Sequence, residues 1–251
     1  MKIRHLVHSC LLVETAGRRL LVDPGGFSAD AVRGLGAEEL SSLDAVVITH
    51  QHPDHVDPAL LGEVLAAASD AEVIAEPETA RMLTAADASD GGGAGEGSDG
   101  PLVAQERVIP LAAGEAHRFA PVGDHLSLRL EAVGGRHAII HPDIPRIGNC
   151  GIVLSAGDGP RLGITGDSLE PVPEFHGIDV LAFAVTAPWS KMSETIEFLR
   201  AVGPRLALPV HDAVASGLGR PIYLRQATNL APEGTEVRDW PEDGVVEVAR
   251  S

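Results

Sequence analysis

Apolar residues in this chain come in short runs separated by glycine, proline and charged residues. Runs at 11–15 and 19–22 flank Ala16-Gly17-Arg18, so residues 2–22 read as strand, turn and strand. Asp23-Pro24-Gly25-Gly26 then stops the chain's extension, because proline lacks a donor and glycine permits unusual dihedrals. The run Ala45-Val46-Val47-Ile48 reads as a buried strand. After it the pattern predicts a helix over 58–68 with proline in its first turn, a strand over 72–75 and a helix over 77–86. Strands are predicted over 107–111, 116–120, 125–133, 150–155, 161–165, 179–185 and 206–210, and short ones near 235–238 and 244–248. Helices are predicted over 193–202, whose Ser-x-x-Ile opening lacks a capping glutamate, and over about 219–229.

Strands and helices alternate in both halves after a hairpin-rich start. That order predicts two sheets packed face to face with helices outside, an α/β (α+β) class. The segment 87–100, with SDGGGAGEGSDG, has too little apolar surface to bury and is expected to be a flexible loop. Candidate ligands lie on both sides of it, so the expectation is one domain over 1–251.

Composition narrows the function classes. Of the 251 residues 44% are hydrophobic and 22% charged, a globular balance, and with 3% aromatics Leu, Val, Ile and Ala must fill the interior. The net charge of −17, with no long Lys/Arg cluster, argues against a nucleic-acid partner. No run reaches the ~20 apolar residues of a membrane span, and no secretory leader pattern opens the chain, so a cytoplasmic location is expected. Cys10 and Cys150 lie beside apolar residues without a paired spacing, and both read as core thiols.

The chemistry concentrates just after the 45–48 run, at Thr49-His50-Gln51-His52-Pro53-Asp54-His55. Alternating His50 and His52 can aim two imidazoles at one point while Asp54 and His55 turn to a second. Imidazole nitrogen and carboxylate oxygen are what a borderline divalent cation takes. His137, Asp167 and His211 each follow a strand-like run as well. His141 is the alternative to His137, which is preferred because Gly134-Gly135 lets backbone approach closely. Asp23 is either a turn cap or an acceptor that orients a ligand histidine. His8 and, failing ligation, His141 are pocket candidates, whereas His5, His117, His125 and His176 read as structural.

The order H-x-H-x-D-H, then His137, Asp167 and His211, resembles the metallo-β-lactamase-fold hydrolase superfamily over the whole chain. The resemblance implies a four-layer αβ/βα sandwich of two mixed sheets flanked by helices, with two metals at one edge. It implies that His50, His52 and His137 hold one metal, that Asp54, His55 and His211 hold the other, and that Asp167 bridges them. The opening His8-Ser9-Cys10 through Glu14 is similar to that of the cytoplasmic ascorbate-6-phosphate lactonase group and uncharacterised zinc-dependent hydrolases, with Val7 in place of a glycine.

The expected reaction is hydrolysis, in which a hydroxide bridging two divalent ions attacks a carbonyl (lactone or ester) or a phosphoester. Asp54, His50, His52, His55 and Asp167 would be the catalytic set, with Asp54 orienting the nucleophile or shuttling its proton. Zn²⁺ is the default ion, and the all-N/O set also suits Mn²⁺, Fe or Ni²⁺. Arg146 and Lys191 are candidates for binding an anionic small-molecule substrate and Trp189 for an apolar wall. The competing readings are a mononuclear-iron oxidoreductase of the same fold, such as a persulfide dioxygenase, a phosphodiesterase or nuclease, and a non-catalytic scaffold. Homo-oligomerisation stays open.

Overall fold

The computed structural model describes residues 1–85 and 101–249, so the glycine-rich segment expected over 87–100 lies outside the described residues. The first half runs β1 (Lys2–Val7), β2 (Cys10–Thr15), β3 (Arg18–Val22), α1 (Ala29–Arg33), α2 (Ala37–Ser41), β4 (Ala45–Ile48), α3 (Pro58–Ala67), β5 (Glu72–Ala75), α4 (Pro77–Thr84) and β6 (Val108–Pro110). The second runs β7 (Ala116–Phe119), β8 (Leu128–Gly134), β9 (Cys150–Ser155), β10 (Leu162–Ile164), β11 (Val180–Ala184), α5 (Met192–Val202), β12 (Leu206–Val210), α6 (Arg220–Leu230), β13 (Glu236–Val237) and β14 (Val245–Glu247). They form two sheets of seven strands, ordered β14-β1-β2-β3-β4-β5-β6 and β13-β12-β11-β10-β9-β8-β7. Both are mixed: β3 to β6 and β10 to β13 pair in parallel, while the hairpin strands pair antiparallel.

The central strands show why their sequences carry no polar face. In β4, Ala45 and Val47 enter the core between the sheets, and Val46 and Ile48 pack on the helix side with Leu60, Leu61 and Val64 of α3. In β11, Val180 and Ala182 share that inter-sheet core, whereas Leu181 and Phe183 meet Phe198 and Leu199 of α5. A strand covered on both faces must be apolar at every position. The result is helix, sheet, sheet, helix, the four-layer sandwich expected.

Two local expectations need correction. The helix predicted over 193–202 begins earlier, at Met192, and does have a capping glutamate: Glu194 accepts from the Lys191 backbone N–H at 3.1 Å. The five-residue α1 and α2 were not anticipated, being too short for an apolar period. In α2 the Glu39 carboxylate accepts from the Gly36 N–H at 3.3 Å. Among the described residues no helix is long and apolar enough to cross a membrane.

The C-terminal ends of β1, β3, β4, β8, β10 and β12 share one edge of the sandwich. Backbone bonds tie the two sheets together there, from the Cys150 N–H to Thr49 O at 3.0 Å and from the His211 N–H to His8 O at 2.9 Å. Ligands of open α/β sheets sit in such a crevice.

Candidate metal centre

Each ionisable side chain at this edge leaves a strand end. The 49–55 loop leaves β4, His137 follows β8, Asp167 follows β10 and His211 follows β12, while His8 occupies the tight turn between β1 and β2. The turns are strained: His8, Asp23 and His211 have φ of +61°, +48° and +62°. Non-glycine residues held there cost ~1–3 kcal/mol each and persist only where the surroundings impose them. At Gly25 a Cβ would lie 1.9 Å from the Asp54 carbonyl oxygen, so only glycine lets the chain leaving β3 pass the motif loop.

The donor atoms fall into two groups that could hold a metal ion, each within 4.8 Å: His50, His52, His137 and Asp167, and His8, Asp54, His55 and His211. Asp167 faces both. Its Oδ1 stands 3.0 Å from His55 Nε2 and 3.2 Å from His211 Nε2, and its Oδ2 stands 3.2 Å from His137 Nε2 and 3.8 Å from His50 Nε2.

Hydrogen bonds on the far side of each ring decide which nitrogen is bare. His55 Nδ1–H donates to Asp23 Oδ2 at 2.8 Å, His137 Nδ1–H to Ala138 O at 2.7 Å and His211 Nδ1–H to Thr186 O at 2.9 Å. The Thr49 hydroxyl donates to Asp23 at 2.7 Å, so it can accept from His50 Nδ1–H at 3.1 Å. In a neutral imidazole this leaves Nε2 as a lone pair pointing inward. His50 Nε2 and His52 Nδ1 likewise face each other at 3.1 Å. Lone pairs and carboxylate oxygens thus converge, and His55 Nε2, Asp167 Oδ1 and His211 Nε2 are buried with no hydrogen bond despite their short separations. Buried polar atoms left so cost ~1–3 kcal/mol each. A cation among them removes that cost, so the residues fit one.

His8 is different. Its Nδ1 accepts from the Ala213 backbone N–H at 3.2 Å, so in the neutral ring the proton sits on Nε2 and is donated to Asp54 Oδ2 at 3.2 Å. Burial holds the His8 pKa below its ordinary value, which keeps the ring neutral. Although His8 lies among the donors, it has no lone pair to offer.

The electrostatics report a site balanced by protons. Burial pushes the Asp167 carboxyl up, but the charge on His55 and the close approach of His137, His211 and His55 outweigh it and hold it well below the carboxylate range. Burial likewise opposes ionisation of Asp54, yet the His8 hydrogen bond and neighbouring histidines bring it down to about 2. His55 is driven well above the usual imidazole value because Asp167 and Asp23 outweigh its burial, and His211 is raised through Asp167. Burial drives His50 well below it.

The remaining candidates divide clearly. Asp23, fully buried, is an acceptor that orients His55 and also takes the Thr49 N–H at 2.8 Å. Trp189 borders the cavity above the site and, beyond the apolar role expected, donates its Nε1–H to Asp167 Oδ2 at 2.8 Å. His141 is outside both donor groups, 60% exposed, with Nδ1 3.6 Å from Asp143. Arg146 and Lys191 are not cavity residues: Arg146 Nε donates to His137 O, and Lys191 Nζ turns to Glu194 at 3.3 Å. Cys10 and Cys150 are buried, and desolvation pushes both thiols up to about 12.

Sequence reasoning gave Thr49 no role of its own and missed Asn149, Phe27, Ile140 and Val214. The buried Asn149 accepts from the Asp167 N–H at 2.9 Å and donates to Thr165 O at 3.3 Å, fixing the Asp167 turn. Its one signal is an amide directly preceding a buried, largely apolar strand. Phe27, Ile140 and Val214 line a cavity of about 530 Å³ that opens onto His52, Asp54, Asp167 and His211. A larger groove of about 1060 Å³ lies at the opposite sandwich edge, where charges are spent on each other.

Comparison with known proteins agrees with this geometry. The Beta-lactamase superfamily domain matches residues 2–211. The chain belongs to that superfamily. Protein Rv0786c of Mycobacterium tuberculosis is 37% identical over 98% of this chain and 99% of its own. A UPF0173 metal-dependent hydrolase of Aeropyrum pernix is 26% identical over 84% of this chain and 81% of its own. The crystal structure of the metallo-beta-lactamase fold protein YhfI from Bacillus subtilis superposes with a TM-score of 0.67 at 17% identity, covering 98% of each chain. The superfamily fold is the sandwich described above.

Proposed function

We propose that this metallo-hydrolase of the beta-lactamase superfamily cleaves a carbonyl or phosphoester bond using two divalent cations held at this edge. His50, His52 and His137 would hold one cation, Asp54, His55 and His211 the other, and Asp167 both. The observation that carries the reading is the convergence of imidazole Nε2 atoms on the two oxygens of a buried carboxylate. When bound, such cations lower the pKa of water to near 7 and polarise the oxygen of the group under attack.

The chain's own residues supply orientation. Asp54, ionised at neutral pH and open to the cavity, accepts a hydrogen bond from an incoming water and turns its lone pair toward the substrate. His8 Nε2–H holds the other side of that carboxylate in place. Trp189 Nε1–H fixes Asp167 Oδ2, and Asp23 fixes the tautomer of His55, as partners behind a ligand do. No serine or cysteine is required, since both thiols are buried and protonated.

Zn²⁺ is the proposed ion, on the tetrahedral preference and the mixed imidazole–carboxylate donor set. A single domain over 1–251 is proposed because the donors come from both halves, and a cytoplasmic setting because the two thiols stay unpaired. Elemental analysis of protein purified without added metal tests the site, with Asp167→Ala as comparison. About two zinc or manganese atoms per chain, falling to well under one in the variant, is the expected result. One iron per chain would replace the reading by an oxidoreductase, and no metal after reconstitution would remove it.

A further inference from the structure

The cavity over the donor groups has two chemically distinct surfaces. Its floor is the histidines and carboxylates already described. Its walls are Phe27, Ile140, Pro188, Trp189 and Val214, and among the described residues no lysine or arginine lines it. The only further charge is Asp57, a carboxylate that also caps α3 by accepting the Leu60 N–H at 2.8 Å.

Those walls are solvent-facing in an unusual way. Phe27 is 53% exposed, Val214 43% and Ile140 40%, all around one opening. Clustered large apolar groups at a mouth mark a binding surface, where isolated ones would not. Volume separates the occupants. About 530 Å³ matches a small-molecule site.

Arg146 and Lys191 are not among the cavity's lining residues, and each donates within the chain, Arg146 to His137 O and Lys191 to Glu194. A phosphate ester carries negative charge beyond the oxygen that a cation would hold, and here that charge would meet Asp57 and apolar walls. An uncharged acyl compound meets no such penalty.

We propose that the substrate is an uncharged carboxylic ester or lactone bearing an apolar group, seated against Phe27, Ile140, Trp189 and Val214. The inference rests on the hydrolase reading above. In the reaction one water is consumed: its oxygen bonds to the carbonyl carbon, the acyl C–O bond breaks, and its protons go to the alcohol oxygen and the carboxylate formed. Oxidation states do not change.

Two measurements separate this proposal from the reading beneath it. The first is calorimetric binding of acetamide, hexanamide and hexyl phosphate to the metal-free protein. A methylene fully buried tightens binding about fourfold, so partial burial here should favour hexanamide over acetamide by roughly tenfold or more, with hexyl phosphate weaker than hexanamide. Phe27→Ala and Ile140→Ala should narrow the amide ratio severalfold. The second is turnover of p-nitrophenyl acetate, butyrate and hexanoate against bis-p-nitrophenyl phosphate by zinc-loaded protein. Rising kcat/KM along the ester series, with the phosphodiester at least a hundredfold slower, supports the proposal. Equal amide binding, tighter hexyl phosphate binding, or faster phosphodiester cleavage overturns it. Chain-length-dependent amide binding without cleavage of any substrate would uphold the apolar walls and overturn the hydrolase reading alone.

Discussion

The two edges of this sandwich both gather charge, and they treat it oppositely. At the edge away from the donor groups, Lys2 meets Glu14 at 2.9 Å and Arg18 meets Asp44 at 2.5 Å, all at least partly open to water. At the donor edge, His55, Asp167 and His211 are almost fully buried, and His55 Nε2, Asp167 Oδ1 and His211 Nε2 have no hydrogen bond. The first arrangement is what a solvated surface does with opposite charges, and it is worth little. The second is costly without a guest. Cavity size points the wrong way between them, because the larger groove overlies paired charges. Arg18 Nε and Arg19 Nε at the far edge also lack a partner, but each guanidinium is paired through its other nitrogens. Convergence of unpaired imidazole and carboxylate atoms, not volume or charge density, marks the working edge.

The strongest way to break this contrast is at the donor edge itself. His211→Ala removes one bare nitrogen, whereas His8→Ala removes a neighbour whose lone pair is already occupied. The first should lose about one cation per chain and at least ~1000-fold of kcat/KM, each ~1.4 kcal/mol of lost stabilisation being tenfold. The second should keep both cations and lose only on the order of tenfold, through a less fixed Asp54. Elemental analysis of the two variants side by side decides it. A cation lost from His8→Ala would mean the Ala213 hydrogen bond does not set the tautomer.

Asp23→Ala should rank next. It leaves every inward donor in place but frees His55 Nδ1 and the Thr49 hydroxyl. Loss of such a partner behind a ligand weakens metal affinity ~10–100-fold. Competition against a chelator of known affinity measures it, and unchanged affinity would make Asp23 a structural residue of the turn.

How much of this was legible beforehand follows from where each fact resides. Thr49 to His55 could be read because its donors are contiguous and follow an apolar run whose burial is a matter of composition. His137, Asp167 and His211 could be suggested because strand ends at one sheet edge converge by topology. The choice between His137 and His141 depends on Gly134 and Gly135, at φ of +80° and +112°, which turn the chain inward before His137 and leave His141 in an exposed turn. What spacing cannot give is the direction of a long side chain. Arg146 and Lys191 sit near candidate site residues in sequence, yet each turns to an acceptor of the chain itself. Asn149 and the partners of His8 were equally hidden, since Ala213 lies 205 residues away along the chain.

Proton balance offers a graded version of the same test. Without a cation, His55 is held protonated by Asp167 and Asp23, its pKa raised well above the ordinary imidazole value. A cation must displace that proton, so binding releases it and affinity rises with pH. The dependence should continue above ~6.5, where an unperturbed histidine would already be neutral. His211, its pKa likewise raised, adds to the dependence in the same range. Zinc titrations at several pH values with proton release followed in weak buffer check both sign and range. Affinity flat from pH 6.5 upward would show that His55 is not the group displaced.

The smallest effect belongs to the other edge, and its smallness is the point. The Lys2 and Glu14 side chains are 43% and 31% exposed, so water competes for both partners and salt screens what remains. Lys2→Ala should therefore cost less than ~1 kcal/mol, a fall in Tm of no more than ~2–4 °C for a chain of this size. Metal content and kcat/KM should be unchanged, because the groove's charges do not reach the donor groups. The same substitution made at high salt should cost less still. A Lys2→Ala variant that lost activity while retaining its Tm would mean that the larger groove is functional, and that paired, hydrated charge is not a sufficient sign of an idle surface.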